Sequence, residues 1–173
     1  MKNTVTLFAL VLMMAGLAAC ARDPVPDAGE VAAAAAAGAD ESAVMDAALP
    51  PVVVYKSPAC GCCRSWAEYM RASGFPVESR DTQDLDAIKA EVGVPFGQGS
   101  CHTAKVGDYF VEGHVPADDV KRLLAERPDA LGLTVPGMPI GSPGMEQGDT
   151  REPYDVLLVA KDGSTTVFAH HGD

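Results

Sequence analysis

The feature that most restricts the fold of this chain is the run Cys60-Gly61-Cys62-Cys63, which lies between two apolar patterns. The segment before it, Val52–Lys56, is continuously apolar and typical of a central strand. After it, Trp66, Tyr69 and Met70 recur at helical spacing. We therefore expect a buried strand to deliver three thiols to the first turn of a helix. Backbone N–H groups at a helix N-terminus favour thiolates, the form of cysteine that attacks disulfides and binds soft metals.

Strand and helix patterns continue to alternate after this point. Asp84 and Gly93 are suitable residues for the start and end of a second helix. The order βαβ then ββα predicts an α/β fold, a thioredoxin/glutaredoxin-like βαβ-ββα domain, which places a cysteine motif between its first strand and first helix. The further expected elements are a strand at 77–81, a helix at 84–91, hairpin strands at 103–106 and 109–111, and a helix from Pro116 that stops before Pro128.

The C-terminal part of the chain adds two features to that minimal fold. A Gly/Pro/Met-rich loop is expected from Gly132 to about Pro153, and loops of this length are usually functional or disordered. A final β-hairpin is expected to pair 154–160 with 165–169. We expect His170-His171 to form a frayed end rather than a metal site.

The first 19 residues predict an export signal rather than part of the fold. Lys2 is a short positive region, 6–15 is apolar, and Leu17-Ala18-Ala19-Cys20 resembles the lipobox of bacterial lipoproteins. By that resemblance, cleavage precedes Cys20, which then carries the lipid. The alternatives are an ordinary signal peptide and an uncleaved anchor, although the apolar stretch is short for a span of about 20 residues. We expect a periplasm-facing, lipid-anchored protein of the bacterial envelope, with Ala21 favouring the outer membrane.

Composition divides the mature chain into a tether and a domain. Residues 20–50 are rich in Ala, Asp, Glu, Pro and Gly and offer no apolar face, so we expect a lipidated, disordered tether ahead of a domain at 51–173. The net charge of −11 argues against nucleic acid as a partner, because duplex binding requires a basic face.

The cysteines of the domain admit three hypotheses. Structural disulfides are the default in an oxidising compartment, but three thiols within four residues cannot staple distant segments. A thiol–disulfide oxidoreductase could use Cys60 and Cys63 as a C-x-x-C pair. Two features weaken that hypothesis: Cys62 adds a third thiol, and Cys101-His102-Thr103 stands where thioredoxin-like proteins carry a cis-proline loop. The four cysteines are Cys60, Cys62, Cys63 and Cys101.

A metal site is the third hypothesis and the one we favour. In a thioredoxin-like fold the loop at Cys101 and His102 packs against the start of the first helix, so four thiols and an imidazole would share a small volume. Soft thiolates select Cu(I), zinc or iron–sulfur clusters. Zinc needs a closed set of four ligands, whereas a Cys-x-Cys-Cys run suits thiolates that bridge several Cu(I) ions. Copper is the expected metal, zinc the alternative.

Three residues outside the cysteine cluster are further candidate ligands, each with a structural alternative. His114 is a ligand or a group that supports one, or else a surface or capping residue. Met138 and Met145 are candidate thioether ligands, which would favour copper, or else exposed or core-filling side chains. Trp66 and Met70 are expected in the core.

Several short motifs in the domain occur in the order found in one known family. They are Val54-Tyr55-Lys56-Ser57-Pro58 with Cys60-Gly61-Cys62-Cys63, Ser100-Cys101-His102-Thr103, Glu112-Gly113-His114-Val115-Pro116, Pro136-Gly137-Met138-Pro139, and Gly141-Ser142-Pro143-Gly144-Met145-Glu146. Together they resemble the CopG-like family, a bacterial periplasmic family associated with copper-resistance gene clusters and long described as a domain of unknown function. The resemblance covers residues 52–171. It implies a thioredoxin-fold variant that binds copper through Cys60, Cys62, Cys63 and Cys101, with His102, His114, Met138 and Met145 as further ligands.

The sequence thus predicts an envelope protein that sequesters copper or hands it on, mainly as Cu(I), and contributes to copper resistance and homeostasis. Its expected partners are copper ions and components of copper efflux or copper oxidase systems. We expect a metal-binding protein rather than an enzyme. The alternatives are a thiol–disulfide or copper oxidoreductase that uses Cys60 and Cys63, and a zinc-stabilised interaction module.

Overall fold

The computed structural model of this chain describes residues 48–172. The predicted signal peptide at 1–19, the lipidation site Cys20 and almost all of the predicted tether at 20–50 lie outside the described residues. Among the residues that are described, none of the helices combines the length and apolar character of a membrane span.

In the described part of the chain, seven strands form one mixed sheet, and three helices pack against it. The sheet order is β2-β1-β3-β4-β5-β6-β7, with β1–β2 and β4–β5 parallel and the other neighbours antiparallel. The predicted α/β class is therefore confirmed. The elements are β1 (Val52–Lys56), α1 (Gly61–Ala72), β2 (Val77–Asp81), α2 (Leu85–Val92), β3 (His102–Val106), β4 (Tyr109–Glu112), α3 (Ala117–Glu126), β5 (Ala130–Thr134), β6 (Tyr154–Ala160) and β7 (Thr165–His171).

The main hydrophobic core lies between α1, α3 and one face of the sheet. Residues facing each other across neighbouring strands share a face, since side chains alternate along each strand. One such row crosses β1, β3, β4 and β5 and is fully buried: Val54, Ala104, Val111 and Leu133. Helix α1 covers it with Trp66 and Met70 of the expected stripe, together with Cys63 and Ala67, whereas Tyr69 is only partly buried. Helix α3 covers it with Val120 and Leu123.

The opposite face of the sheet is more polar and is approached by α2. The row next to the apolar one runs through Thr103, Glu112 and Thr134, all fully buried. Helix α2 has no buried residue of its own but sends Lys89 to this row. Its N-terminus is capped as expected, since the Asp84 carboxylate accepts a hydrogen bond from the amide of Ala87 at 3.0 Å.

The C-terminal hairpin extends the sheet and is tied to α3. Arg122 donates to the carbonyl of Phe168 at 2.9 Å, and its guanidinium carbon lies 3.7 Å from the centroid of that ring. His171 contacts the carboxylate of Asp119 at 2.7 Å. The expectation that His170-His171 forms a frayed end is wrong, because both residues belong to β7. Adjacent strand residues point to opposite faces, so the two imidazoles cannot converge on one ion.

Two further expectations need correction. The predicted loop from Gly132 to about Pro153 begins later, because Ala130–Thr134 pairs with β4 and β6 as β5. The apolar pattern of β5 is interrupted at Gly132, which makes this short strand hard to recognise in the sequence. Glycine is needed there because an added Cβ would lie 2.0 Å from the Phe110 carbonyl oxygen. Pro116 is the N-cap of α3 rather than its first residue.

Gly132→Ala is expected to destabilise the protein by about 1–3 kcal/mol, because the new methyl group cannot fit against β4 without moving a backbone carbonyl. Urea unfolding of the reduced, metal-free protein measures this change. Gly61→Ala is the control, since its added Cβ would meet nothing closer than an arginine side chain at 4.0 Å. Equal unfolding midpoints for the two variants would contradict the prediction.

Candidate metal centre

The two cysteine-bearing segments meet because β3 runs antiparallel to β1. Lys56, the last residue of β1, pairs with His102, the first residue of β3. The chain then reaches α1 through Cys60, while Cys101 immediately precedes β3. Cys101 therefore lies beside the first turn of α1, where the sequence analysis placed it.

The four sulfurs of the cluster lie within 4.8 Å of one another. The Sγ atom of Cys101 is 3.8 Å from that of Cys62 and 3.4 Å from that of Cys63. The Sγ atoms of Cys60 and Cys62 are 3.5 Å apart. Two thiolates bound to one ion at about 2.3 Å each can be at most about 4.6 Å apart, so these separations suit sulfurs that share metal ions.

Cys60 and Cys63 are joined by a disulfide, whereas Cys62 and Cys101 are free thiols. The Cα atoms of the bonded pair are 5.4 Å apart, a usual separation for this bond. In this state only two of the four sulfurs can become thiolates. A four-thiolate site therefore exists only after the bond takes up two electrons.

The environment keeps the thiol of Cys101 protonated in neutral solution. Burial, followed by the charge of the neighbouring Cys62, raises the pKa of Cys101 to about 12. A metal that binds this sulfur must displace its proton, because only the thiolate is a ligand. Cys101 is correspondingly a poor nucleophile in the metal-free protein.

Two buried histidines complete the site around Cys101. The Nδ1 atom of His102 lies 3.4 Å from the Cys101 sulfur, and the Nε2 atom of His114 lies 3.2 Å from it. His114 donates its Nδ1 proton to the carbonyl oxygen of Pro143 at 2.8 Å, which directs the lone pair of Nε2 at the cluster. The three side chains form a second group of potential ligands that shares Cys101 with the first.

The histidines are held neutral, the form that binds metals. Burial lowers the pKa of His102 well below its usual value, and the charges of His114 and Lys89 lower it further. Burial also lowers the pKa of His114. The Nε2 atom of His102 has no hydrogen-bond partner among the described residues. The ring nitrogen of His102 that faces the sulfur of Cys101 is Nδ1, so the orphaned Nε2 points in a different direction from the one that would bind a metal there.

Trp66 forms the apolar wall of the site. Its ring lies 4.6 Å from that of His102, and its Nε1 donates to the carbonyl of Val115 at 2.9 Å. The expected core positions of Trp66 and Met70 are confirmed, since both are fully buried. The rigid, fully buried indole limits the rotation of the His102 ring.

The Gly/Pro/Met-rich loop packs against the first turn of α1. A Cβ on Gly144 would lie 2.7 Å from the amide nitrogen of Trp66 and 2.9 Å from the carbonyl oxygen of Cys62, so only glycine allows this approach. Met145 is the next residue, and its carbonyl accepts a hydrogen bond from Gly141. Met138 is half exposed. The backbone thus brings Met145 beside the cluster, while both methionines remain predicted rather than demonstrated ligands.

Sequence reasoning missed two groups that shape the site. The carbonyl of Pro143 orients His114, and backbone groups carry no sequence signal of their own. The sequence pattern assigns no role to Glu112, yet this residue is fully buried and accepts a hydrogen bond from Ser100, just before Cys101. Burial raises its pKa, and hydrogen bonds from Lys89 and Thr103 oppose that rise. Its position at the end of a hairpin strand, next to Gly113-His114, was the available signal.

Comparison with known proteins identifies the family. No curated protein matches this chain. The family described as "Protein of unknown function, DUF411" matches residues 98–145, from the approach to Cys101 through Met145. Two solved structures, "Copper resistance protein copG- Form 1" and "Form 2", match at 42% and 43% sequence identity, each with a TM-score of 0.69. The alignments cover 72% and 71% of this chain and 99% and 98% of those chains. The chain therefore belongs to the CopG family of copper resistance proteins.

Proposed function

We propose that this protein binds copper in the bacterial envelope, mainly as Cu(I), and either sequesters the ion or hands it on. The observation that carries the proposal is the convergence of four sulfurs within 4.8 Å at the start of α1. Thiolates are soft ligands that prefer Cu(I). Membership of a family of copper resistance proteins favours the same metal.

The proposed ligands are the four cysteines, assisted by the two buried histidines. Cys60, Cys62 and Cys63 come from the first turn of α1, and Cys101 lies opposite them. These separations alone would also fit one tetrahedral zinc ion, whose thiolate sulfurs would lie about 3.8 Å apart. The choice of several bridged Cu(I) ions rests on the Cys-x-Cys-Cys run and on the family. Thioethers of Met138 and Met145 would add to the preference for copper.

The second ligand group suggests how the site would hold the oxidised ion. Cys101, His102 and His114 offer one sulfur and two neutral imidazoles. Imidazole nitrogen suits Cu(II) better than a pure thiolate set does. We assign Cu(I) to the thiolate group and Cu(II) to the histidine side of Cys101.

A thioredoxin-like architecture is the finer description that we propose for the region from β1 to α3. The order β1-α1-β2-α2-β3-β4-α3 and the neighbouring strands β2-β1-β3-β4 support it. In this description the segment from 135 to 153 and the hairpin of β6 and β7 are additions. Cys101-His102 takes the place of the loop that faces the cysteines in thioredoxin-like proteins.

The location is proposed from the sequence. A lipid on Cys20 would anchor the protein, and the segment up to Pro50, as a flexible chain, would have a reach of roughly 30 Å from the membrane. Copper efflux or oxidase components of the envelope are the partners that we propose for transfer. The outer membrane is the proposed site of anchoring.

The decisive experiment compares copper content after anaerobic reduction and loading with Cu(I). Cys62→Ser/Cys63→Ser is expected to lose most of the bound copper, since only Cys60 and Cys101 keep their sulfurs and they lack a bridging partner. Metal analysis of the desalted protein gives the result. His170→Ala/His171→Ala, which changes histidines on β7 outside the cluster, is the control and should load like wild type. Equal copper in the wild type and the double cysteine variant would remove the proposal.

A thiol–disulfide oxidoreductase is the second candidate function, favoured by the Cys60–Cys63 disulfide. A thiolate of a client dithiol would attack the half-buried Cys60 sulfur, forming a mixed disulfide and releasing Cys63 as a thiolate. The second client thiol would then displace Cys60. The client leaves oxidised by two electrons, and both cysteines leave reduced.

Insulin reduction by the reduced, metal-free protein separates this candidate from copper binding. An oxidoreductase should retain its rate in Cys101→Ser and lose it in Cys60→Ser, because only the second change removes the disulfide. We expect the wild type to show little activity, since Cys62 and Cys101 crowd the pair. A rapid rate that depends on Cys60 and not on Cys101 would favour the enzyme.

The zinc-stabilised module makes a different prediction about folding. Removal of metal with a strong chelator should leave the circular dichroism spectrum and cooperative unfolding intact. The reason is that the core around Val54, Leu123 and Leu133 is fully buried and is built mainly from apolar side chains other than the cysteines. Loss of cooperative unfolding on chelation would instead indicate a fold that depends on metal.

A further inference from the structure

The carboxylate of Glu112 is a buried charge that the proposed function leaves without a role. Its side chain is fully buried, and Lys89, with 16% of its side chain exposed, pairs with it at 2.5 Å. A buried ion pair is often no more stabilising than apolar residues of similar volume. Stability alone is therefore a weak reason for its presence beside the cluster.

Glu112 bonds to the residues on both sides of Cys101-His102. Its Oε1 atom accepts the backbone N–H of Ser100 at 2.6 Å. Its Oε2 atom accepts the hydroxyl of Thr103 at 2.6 Å. The carboxylate thus fixes the residue before Cys101 and the residue after His102 at the same time.

Lys89 determines the orientation of that carboxylate. Its ammonium group donates to Oε1 of Glu112 at 2.5 Å and to the hydroxyl of Thr103 at 3.0 Å. Both carboxylate oxygens are therefore occupied, and the side chain has a single arrangement that satisfies all three donors. Helix α2 is in this way connected to the metal-binding segment, although it contributes no ligand.

The backbone next to Glu112 reinforces the same segment. The amide of Gly113 donates to the carbonyl of His102 at 3.1 Å. Gly113 has a φ of +73°, and a Cβ there would lie 2.6 Å from the side chain of Ser100. The chain then reaches His114, whose Nε2 faces Cys101. Glu112 thus supports both partners of the Cys101–His114 contact. It bonds to Ser100, which precedes Cys101, and it is joined to His114 through Gly113.

We infer that Glu112 is a positioning residue for the metal centre: through Ser100 and Thr103 it holds the sulfur of Cys101 and the ring of His102 opposite the first turn of α1. The inference rests on the proposed copper function and deepens it. Glu112 touches no metal; it limits the movement of a residue that does. Loss of such a supporting group typically lowers metal affinity by about 10–100-fold.

The test compares two substitutions that differ in hydrogen bonding. Glu112→Met removes both acceptors and is expected to weaken Cu(I) binding by about 10–100-fold. Glu112→Gln keeps one oxygen that accepts from Ser100 and Lys89, and its new amide N–H can donate to the hydroxyl oxygen of Thr103. This variant should therefore bind Cu(I) within about threefold of wild type. Competition with a chromophoric Cu(I) chelator, on anaerobically reduced protein, measures the affinities.

A second measurement reports on the segment without any metal. Amide hydrogen exchange of Ser100 in the reduced, metal-free protein should accelerate in Glu112→Met and stay slow in Glu112→Gln. Asp119→Asn is the control for loss of a buried, paired carboxylate elsewhere, since Asp119 bonds to Arg122 and His171. It should lower stability while leaving copper affinity and Ser100 exchange unchanged.

Two outcomes would overturn the inference. One is a Glu112→Met variant with unchanged copper affinity and unchanged Ser100 exchange. The other is an Asp119→Asn variant that loses as much copper affinity as Glu112→Met. If Glu112→Met does not fold, Thr103→Val replaces it, because it removes the donor to Oε2 and should still weaken copper binding. If the wild type takes up no copper, the proposed function fails, and Ser100 exchange alone decides whether Glu112 holds the segment.

Discussion

The antiparallel pairing of β1 with β3 is the interaction on which the site depends. It sets Lys56 opposite His102, so that the cysteines after β1 and the cysteine before β3 emerge at the same end of the sheet. A slip of one residue would turn His102 to the opposite face and move Cys101 away from α1. Main-chain pairing in the centre of the sheet therefore controls the geometry of the sulfurs more than any contact among the sulfurs themselves.

The site lies at the boundary between the core and the solvent. Cys63, His102 and His114 are buried, whereas Cys60, Cys62 and Cys101 are partly accessible. Burial keeps the histidines neutral and raises the pKa of Cys101, so the metal-free pocket carries little charge despite its polar composition. Such a pocket offers soft, neutral donors and releases protons when a cation binds, which couples occupancy to pH.

Most of the fold followed from local patterns, and the parts that did not have identifiable causes. The apolar run of β1, the helical spacing in α1 and the hairpin strands expected at 103–106 and 109–111 each carry a strong periodic or turn signal, and these elements were located correctly. Strand β5 was missed because Gly132 interrupts its pattern to make room for Phe110. The meeting of Cys101 with α1 required a fold hypothesis as well as a motif. The hydrogen bonds from His114 to the Pro143 carbonyl and from the Ser100 amide to Glu112 depend on tertiary contacts, which a single sequence does not reveal.

The sulfur of Cys60 has a second task, since it caps α1 by accepting a hydrogen bond from the amide of Cys63 at 3.3 Å. A helix cap contributes about 1 kcal/mol. The partial charge on this sulfur differs between a disulfide, a free thiol and a metal thiolate. The strength of its hydrogen bond with the Cys63 amide, and the tendency of the first turn to fray, therefore depend on which form is present. A change in the chemical state of the Cys60 sulfur would therefore alter the stability of the first turn of α1. The NMR chemical shift of the Cys63 amide, which donates to this sulfur, would report that change.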